Sequence, residues 1–313
     1  MKIRFYDLNT YYRGLFGCRV QKISLDAGFT CPNRDGTLST GGCIYCNERG
    51  SGTGNYQKGM SVSEQLKQGM DAMKRRYKAE KFIAYFQAFS NTYGPVHRLE
   101  RLYREALSFR EVVGLSIGTR PDCINPAVLE LLEKCASESL VWIEYGLQSA
   151  NDRTLSLINR GHNLACFVDA VEATRNRGMY ICAHVILGLP GESRRDMMKT
   201  ADVLRELKVD GVKLHLCYVV CNTVLEKMYR EGAYRCLEQE EYAELVVDFL
   251  ERLPEEMVIH RIASDPHPDE LVAPKWSLEK NTIRFLISEI MENRDTRQGK
   301  KALFCGGRKK RLP

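Results

Sequence analysis

No stretch of about 18 uncharged apolar residues occurs in the 313-residue sequence, which argues against a membrane span. The first residues, MKIRFYDLNTYYRG, lack the apolar core of a signal peptide, so export is not expected and a cytoplasmic protein is. Internal repeats and low-complexity segments are also missing. A large excess of one charge is also missing: the formal net charge is +6, which by itself supports no more than an expectation of an anionic partner. Hydrophobic residues make up 44% and charged residues 27%, an ordinary balance for a chain that buries a core as one large or two small domains.

Cysteine, by contrast, is abundant. Twelve cysteines without an export signal read as thiols and metal ligands in a reducing compartment, not as disulfides. Three of them, Cys31, Cys43 and Cys46, sit in CPNRDGTLSTGGCIYC at a C-x11-C-x2-C spacing. Three thiolates can hold three corners of a cubic iron–sulfur cluster and leave one iron without a protein ligand, and an open position at a metal means chemistry. A closed zinc site needs four ligands. Zinc with a distant fourth ligand and three incidental buried cysteines both stay open at this point. Asp35-Gly36, Gly41-Gly42, Gly50, Gly52 and Gly54 give the loop the backbone freedom to wrap a bulky inorganic group, and Tyr45 stands between the two close cysteines. Cys217 and Cys221, at C-x3-C, and the remaining cysteines read as small buried thiols.

Short apolar runs rich in β-branched and aromatic residues predict buried parallel strands at 20–25, 82–89, 112–117, 140–147, 180–187 and 212–220. Between them lie helix signals: a capping box at Ser61-x-x-Glu64, a cap and first-turn proline at Asn125-Pro126, and a helical period through Leu99, Leu102, Tyr103, Ala106 and Leu107. Six β-then-α units predict an α/β fold, either a parallel barrel or a doubly wound sheet, followed by a mostly helical last third. In that last third Ile283, Leu286, Ile287, Ile290 and Met291 form a packing stripe. In such folds active-site groups gather at the C-terminal ends of the strands. Those ends are polar here: Gln87 with Ser90, Asn91 and Thr92; Thr119, Arg120 and Asp122; Glu144 and Gln148; His184; His215. Arg120 could simply pair with Asp122, and His215 reads as a satisfied core histidine or, with Tyr218, as a hydrogen donor. The stretch IHRIASDPHPDELVAPKW is placed at the substrate entrance, and the GLPGE turn beginning at Gly188 lets a flat ring approach backbone amides.

With the cysteine triad, GLPGE, YGLQS and RGH in hand, the chain resembles the radical S-adenosylmethionine (SAM) superfamily. More narrowly, KISLDAGFTCPNRDGTLSTGGCIYCN, YFQAFSNTY, SIGTRPDC and the late APKW and RDTRQGKK resemble its YhcC/YtqA group, which is MnmL-like and Elp3-related. The resemblance implies a partial (β/α)6 barrel with a C-terminal helical extension, a [4Fe-4S] cluster on Cys31, Cys43 and Cys46, and SAM on the open iron. Residues 1–222 would be the barrel, with a cluster loop at 26–60. Residues 223–313 would pack on it and end in a basic tail, 306–313. By the same resemblance Gln87, Ser90, Asn91 and Thr92 stand in the place of the element that holds the SAM amino group. Gln148 and Arg160 match ribose and carboxylate contacts, with Arg120 in the same set. His184 takes a ribose position that is acidic in a relative, and Gly188 belongs to the adenine turn. No catalytic residue is assigned. The implied reaction is modification of tRNA wobble uridine, from 5-carboxymethylaminomethyl to 5-aminomethyl, with flavodoxin or ferredoxin as electron donor. A small-metabolite or protein substrate is the alternative within the family, and a non-enzymatic iron–sulfur redox sensor the alternative outside it. The basic tail is either a solvated chain end or a contact to RNA phosphates.

Overall fold

Seven parallel strands curl side by side in the order β1-β2-β3-β4-β5-β6-β8. They are β1 Val20–Leu25, β2 Lys81–Phe86, β3 Val112–Thr119, β4 Leu140–Gln148, β5 Tyr180–Leu187, β6 Gly211–Leu216 and β8 Val258–Arg261. A separate antiparallel pair joins β7 Val219–Val220 to β9 Leu271–Ala273. The helices are α1 Leu8–Phe16, α2 Val62–Tyr77, α3 Val96–Leu107, α4 Pro126–Ala136, α5 Asp152–Leu157, α6 Leu164–Thr174, α7 Arg194–Glu206, α8 Val224–Arg230, α9 Gln239–Arg252 and α10 Lys280–Asn293. The computed structural model describes residues 3–50 and 59–302. Gly52 and Gly54 of the glycine-rich loop, the corresponding part of the 26–60 segment, Cys305 and the basic tail 306–313 lie outside the described residues.

The local signals explain the helix starts. Ser61 accepts from the Glu64 amide and the Glu64 carboxylate accepts from the Ser61 amide, closing the capping box that opens α2. Asn125 accepts from the Val128 amide with proline at the first position of α4. All six expected strands are present, and β8 adds a seventh. The run 212–220 breaks after Leu216, and its last residues turn away to pair with β9 instead of continuing the sheet.

Side chains alternate across each strand, and here both faces are buried. The outer face carries Leu115, Ile117, Val141, Ile143, Val212 and Leu214, fully buried under the helices. Each such side chain contributes roughly 1.5–3 kcal/mol on burial. Along the inner face the residues fall into layers. The lowest is apolar: Trp142, Ile83 and Cys182 pack with Tyr11 and Tyr12 of α1, which closes the floor. One step up, two residues further along each strand, stand Tyr85, Glu144, His184 and Lys213. At the C-terminal end of the strands the layer opens into a cavity. The stripe on α10 buries Ile283, Ile287 and Met291 in the main core, with Leu286 and Ile290 packed against it.

Candidate active site

The chain leaving β1 forms the cysteine loop, and its backbone is tied down at many points. The Arg34 and Asp35 amides donate to the Cys31 carbonyl at 2.8 and 3.1 Å, and the Cys46 amide donates to the Cys43 carbonyl at 2.9 Å. Gly42 adopts φ +70°, a left-handed conformation that a side chain would strain. Asn159 donates to the Gly42 carbonyl at 2.7 Å, and Asn33 to the Asn159 carbonyl at 2.6 Å, so the loop is pinned to the turn after α5. Arg34 donates to the Cys46 and Asn47 carbonyls at 3.2 and 2.8 Å.

All three thiols face one cavity of about 460 Å³ at the C-terminal ends of the strands. Cys43 is buried, and two cationic or amide donors are aimed at its sulfur: Arg160 Nη1 at 3.5 Å and Asn33 Nδ2 at 3.7 Å. Burial alone would raise the Cys43 pKa, but Arg160 outweighs it and holds the thiol below its ordinary value. Burial and the neighbouring Cys43 push Cys46 up to about 11. The three sulfurs are not all within 4.8 Å of one another; among the described residues Glu144, Cys182 and His184 are the group of three possible ligands that is. A tetrahedral zinc ion with Zn–S bonds of about 2.3 Å would hold its sulfurs about 3.8 Å apart. The wider triad fits a larger inorganic group, and the N–H donors at Cys43 suit a negatively charged cluster sulfur.

The other expected site residues divide. Gln87, Ser90, Arg120, Gln148, Arg160 and His184 line the cavity together with the thiols. Asn91 and Thr92 do not. Asn91 Nδ2 donates to the Ala88 and Gly118 carbonyls at 3.1 and 2.9 Å. Thr92 Oγ1 bonds Thr119 Oγ1 at 2.6 Å and the Cys123 carbonyl at 2.7 Å, so both brace the turn from behind. Gly188 is also outside the lining: its carbonyl accepts from Tyr234 Oη at 2.9 Å, and its φ of +84° demands glycine. Arg120 spends its fork on Asp122, at 2.8 and 2.6 Å, and donates to the Arg160 carbonyl at 2.8 Å. Arg160 donates twice to the Gly146 carbonyl, at 3.2 and 2.7 Å, besides reaching Cys43. A Cβ on Gly146 would stand 2.5 Å from Arg160 Nη2, so a side chain there would have to displace that guanidinium. Gln148 has φ +76°, a strained conformation for glutamine of the kind that collects at functional sites. Tyr45 lines the cavity beside the thiols, and Asp265, Pro266, His267, Pro268 and Glu270 form part of its wall, where the proline-containing stretch was placed.

Beneath the thiols lies a polar layer that sequence reasoning largely missed. Glu144 is fully buried and accepts from Lys22 Nζ at 2.5 Å, from His184 Nε2 at 2.6 Å and from Ser116 Oγ, with Lys213 Nζ at 3.4 Å. Lys213 also donates to Tyr85 Oη at 2.6 Å. Burial would raise the pKa of Glu144, but Lys213 and Lys22, with bonds from His184 and His260, hold it well below the carboxylate range. Burial pulls Lys213 down to about 7 against the pull of Glu144. Burial and Lys213 lower His184 to about 4, so it is a neutral imidazole at neutral pH. The satisfied-core reading of His215 does not hold: its Nε2 is buried without a partner, and its ring lies 5.3 Å from that of His184. A signal for Lys22, Tyr85 and Lys213 was present in the sequence, as polar residues at inward-facing positions of otherwise apolar strands.

The GLPGE turn carries its own titratable group. Ser149 Oγ bonds the Glu192 carboxyl, which burial raises to about 7 against the opposing hydrogen bonds of Ser149 and Thr154. Between about pH 4.5 and 7 the folded chain therefore holds more protons at this site than the unfolded chain, so stability is full below that window and declines as pH rises through it, by about 3 kcal/mol in all. Glu192→Gln is expected to flatten that decline. Thermal unfolding of both proteins near pH 5 and near pH 8 checks it, and equal declines in the two would contradict it.

A curled parallel half-barrel with an open thiol triad at the mouth of a polar cavity defines a class of cofactor-dependent barrel enzyme. Comparison with known proteins narrows it. Residues 33–204 match the radical SAM superfamily, and residues 209–293 match the Radical_SAM C-terminal domain. The chain is 40% identical to the uncharacterized protein YtqA of Bacillus subtilis over 95% of its own length and 92% of that protein's. It belongs to the radical SAM superfamily and, within it, to the YhcC/YtqA group. A more distant likeness, 26% identity over 59% of this chain and 34% of the other, is to a tRNA uridine(34) acetyltransferase of Methanocaldococcus infernus. The solved structure of the archaeal Methanocaldococcus infernus Elp3 shares the fold, with a TM-score of 0.68 at 17% identity, covering 89% of this chain and 64% of that one. Among the described residues no helix is long and apolar enough to cross a membrane.

Proposed function

We propose that this radical SAM enzyme modifies the wobble uridine of tRNA, taking the 5-carboxymethylaminomethyl group to 5-aminomethyl. The observation that carries the enzymatic part is the convergence of Cys31, Cys43 and Cys46 on one lined cavity, with Arg160 and Asn33 donating to Cys43. The likeness to a tRNA uridine(34) acetyltransferase supports the choice of tRNA, as does the net charge of +6.

In this reading Cys31, Cys43 and Cys46 hold a [4Fe-4S] cluster, and SAM is held among Gln87, Ser90, Gln148, Arg160 and His184. When bound, the two would supply a 5′-deoxyadenosyl radical able to take a hydrogen atom from the carbon beside the substrate amine. The chain's part is to bind, orient and exclude water. Arg160 ties the Cys43 sulfur to the end of β4 through the Gly146 carbonyl, and so would orient that sulfur as a cluster ligand. Gln148, held in its strained conformation, projects from that same strand end into the cavity wall. Neutral His184 gives its Nε2 hydrogen to Glu144, which leaves its other ring nitrogen as an acceptor at neutral pH. The reading also includes a division near residue 222 between a cluster-bearing barrel and a C-terminal extension, a cytoplasmic location, and a flavodoxin or ferredoxin as electron donor.

The test is anaerobic incubation of the reconstituted enzyme with reductant, SAM and tRNA bearing 5-carboxymethylaminomethyluridine. The expected result is tRNA-stimulated 5′-deoxyadenosine and a nucleoside mass lowered to that of 5-aminomethyluridine. An unchanged nucleoside, with 5′-deoxyadenosine formed equally without tRNA, would contradict the tRNA reading.

A further inference from the structure

Strands β6 and β8 place Lys213 and Arg261 as cross-strand partners, and both side chains line the cavity. Like charges in that relation repel, so each needs an answering group. Lys213 has two, Glu144 and Tyr85. Arg261 has no hydrogen bond and no ion pair among the described residues, although it is half-buried and adjacent in charge to Lys213, His215 and Tyr218.

The carboxylates of the cavity wall are all committed elsewhere. Glu144 is shared by Lys22, Lys213 and His184. Glu270 pairs with Arg49 at 2.9 Å and accepts from Asn47 at 2.7 Å. Asp265 pairs with Lys280. The other arginines of the wall are committed too: Arg120 to Asp122, Arg160 to Gly146 and Cys43, and Arg34 to the Cys46 and Asn47 carbonyls. Among the described residues one guanidinium thus stands without a hydrogen-bond or ion-pair partner in a cavity whose other arginines all have one. Beside it His215 Nε2 is buried without a partner, a second hydrogen-bonding group left open.

We infer that Arg261 anchors a carboxylate of the substrate, with the open His215 nitrogen beside it as a second contact. An arginine fork matches a carboxylate by two parallel bonds, and a partly desolvated guanidinium without a partner gains most from meeting one. Naming that carboxylate as the carboxymethyl end of the modified uridine rests on the tRNA reading above. The carboxylate chemistry itself rests on Arg261 and its surroundings. The anchor would hold that end of the side chain at the C-terminal end of β8.

The test uses the reconstituted enzyme saturated with SAM, so that sites for the SAM carboxylate are filled. N-methylglycine is the probe, its amide the uncharged control, and saturation-transfer NMR the readout. N-methylglycine is expected to bind saturably and its amide not. Arg261→Gln should weaken binding by about 10- to 100-fold, the loss of a charge-assisted bond, and Arg261→Lys should restore part of it. Equal unfolding temperatures for the three proteins confirm that they are folded. The inference is overturned if N-methylglycine fails to bind, if its amide binds equally well, if Arg261→Gln binds like the wild type, or if inorganic phosphate displaces the probe at lower concentration than the probe itself binds. A parallel arm compares 5′-deoxyadenosine formed with tRNA carrying 5-carboxymethylaminomethyluridine. Arg261-dependent probe binding without any tRNA stimulation removes the tRNA reading and keeps the carboxylate site. Stimulation by that tRNA, unaltered in Arg261→Gln, keeps the tRNA reading and removes the site.

Discussion

Replacing Cys43 by alanine is expected to strip the reconstituted protein of its iron and to lower 5′-deoxyadenosine formation by more than about 100-fold. Losing groups that merely orient a metal ligand costs about 10- to 100-fold, and losing the ligand itself costs more. Cys43 is the buried member of the triad, and it is the one to which Arg160 and Asn33 both donate. Two remaining thiols leave half of a cluster's irons without a protein ligand. Cys135→Ala is the matched control, since Cys135 is also buried but lies on α4 in the main core and does not line the cavity. Iron and sulfide content, with the electron paramagnetic resonance of the reduced protein, checks the result. A full complement of iron in Cys43→Ala would contradict the assignment.

Glu144→Gln is expected to lower stability by about 3–5 kcal/mol, because it leaves buried Lys213 and half-buried Lys22 without their carboxylate. For a chain of this length that corresponds to a fall of about 5–8 °C in the unfolding midpoint. The size follows from the lack of alternatives. Glu144 has no exposed surface, and among the described residues it is the carboxylate that meets both lysines. Part of the cost is avoided by deprotonation of Lys213, whose pKa burial already brings to about 7, so the loss should shrink as pH rises above neutrality. Differential scanning calorimetry of wild type and variant on either side of neutral pH tests this. A midpoint shift under a degree would mean that the layer is solvated and the charges do not depend on one another.

Much of the architecture was legible because its causes are local. The strands are apolar runs, and the starts of α2 and α4 are written in Ser61-x-x-Glu64 and Asn125-Pro126. The thiol loop was legible because its residues lie close in sequence. Strand β8 was not, because four residues, VIHR, carry too little periodicity, and only pairing with distant β6 makes them a strand. The layer beneath the thiols was hidden for a related reason. Lys22, Glu144, Lys213 and Arg261 look like unrelated interruptions of apolar segments until the sheet curls and brings β1, β4, β6 and β8 round a common interior. Polarity at a strand end also does not say which way a side chain points. Gln87 and Ser90 face the cavity, whereas Asn91 and Thr92, in the same turn, face backbone carbonyls behind it. Arg120 shows the same ambiguity from the other side, lining the cavity while its fork is taken by a neighbour two residues away.

The central claim is that the thiols and the cavity form one reductive SAM-cleaving site. It is tested most directly by reconstituting the wild-type protein anaerobically with iron and sulfide, adding dithionite and SAM, and quantifying 5′-deoxyadenosine and methionine by chromatography. The account predicts that both form in equal amounts, that they require the reductant, and that they are lost in Cys43→Ala. A fully assembled cluster that leaves SAM intact across reductants of decreasing potential would contradict it and would favour the reading as an iron–sulfur redox sensor.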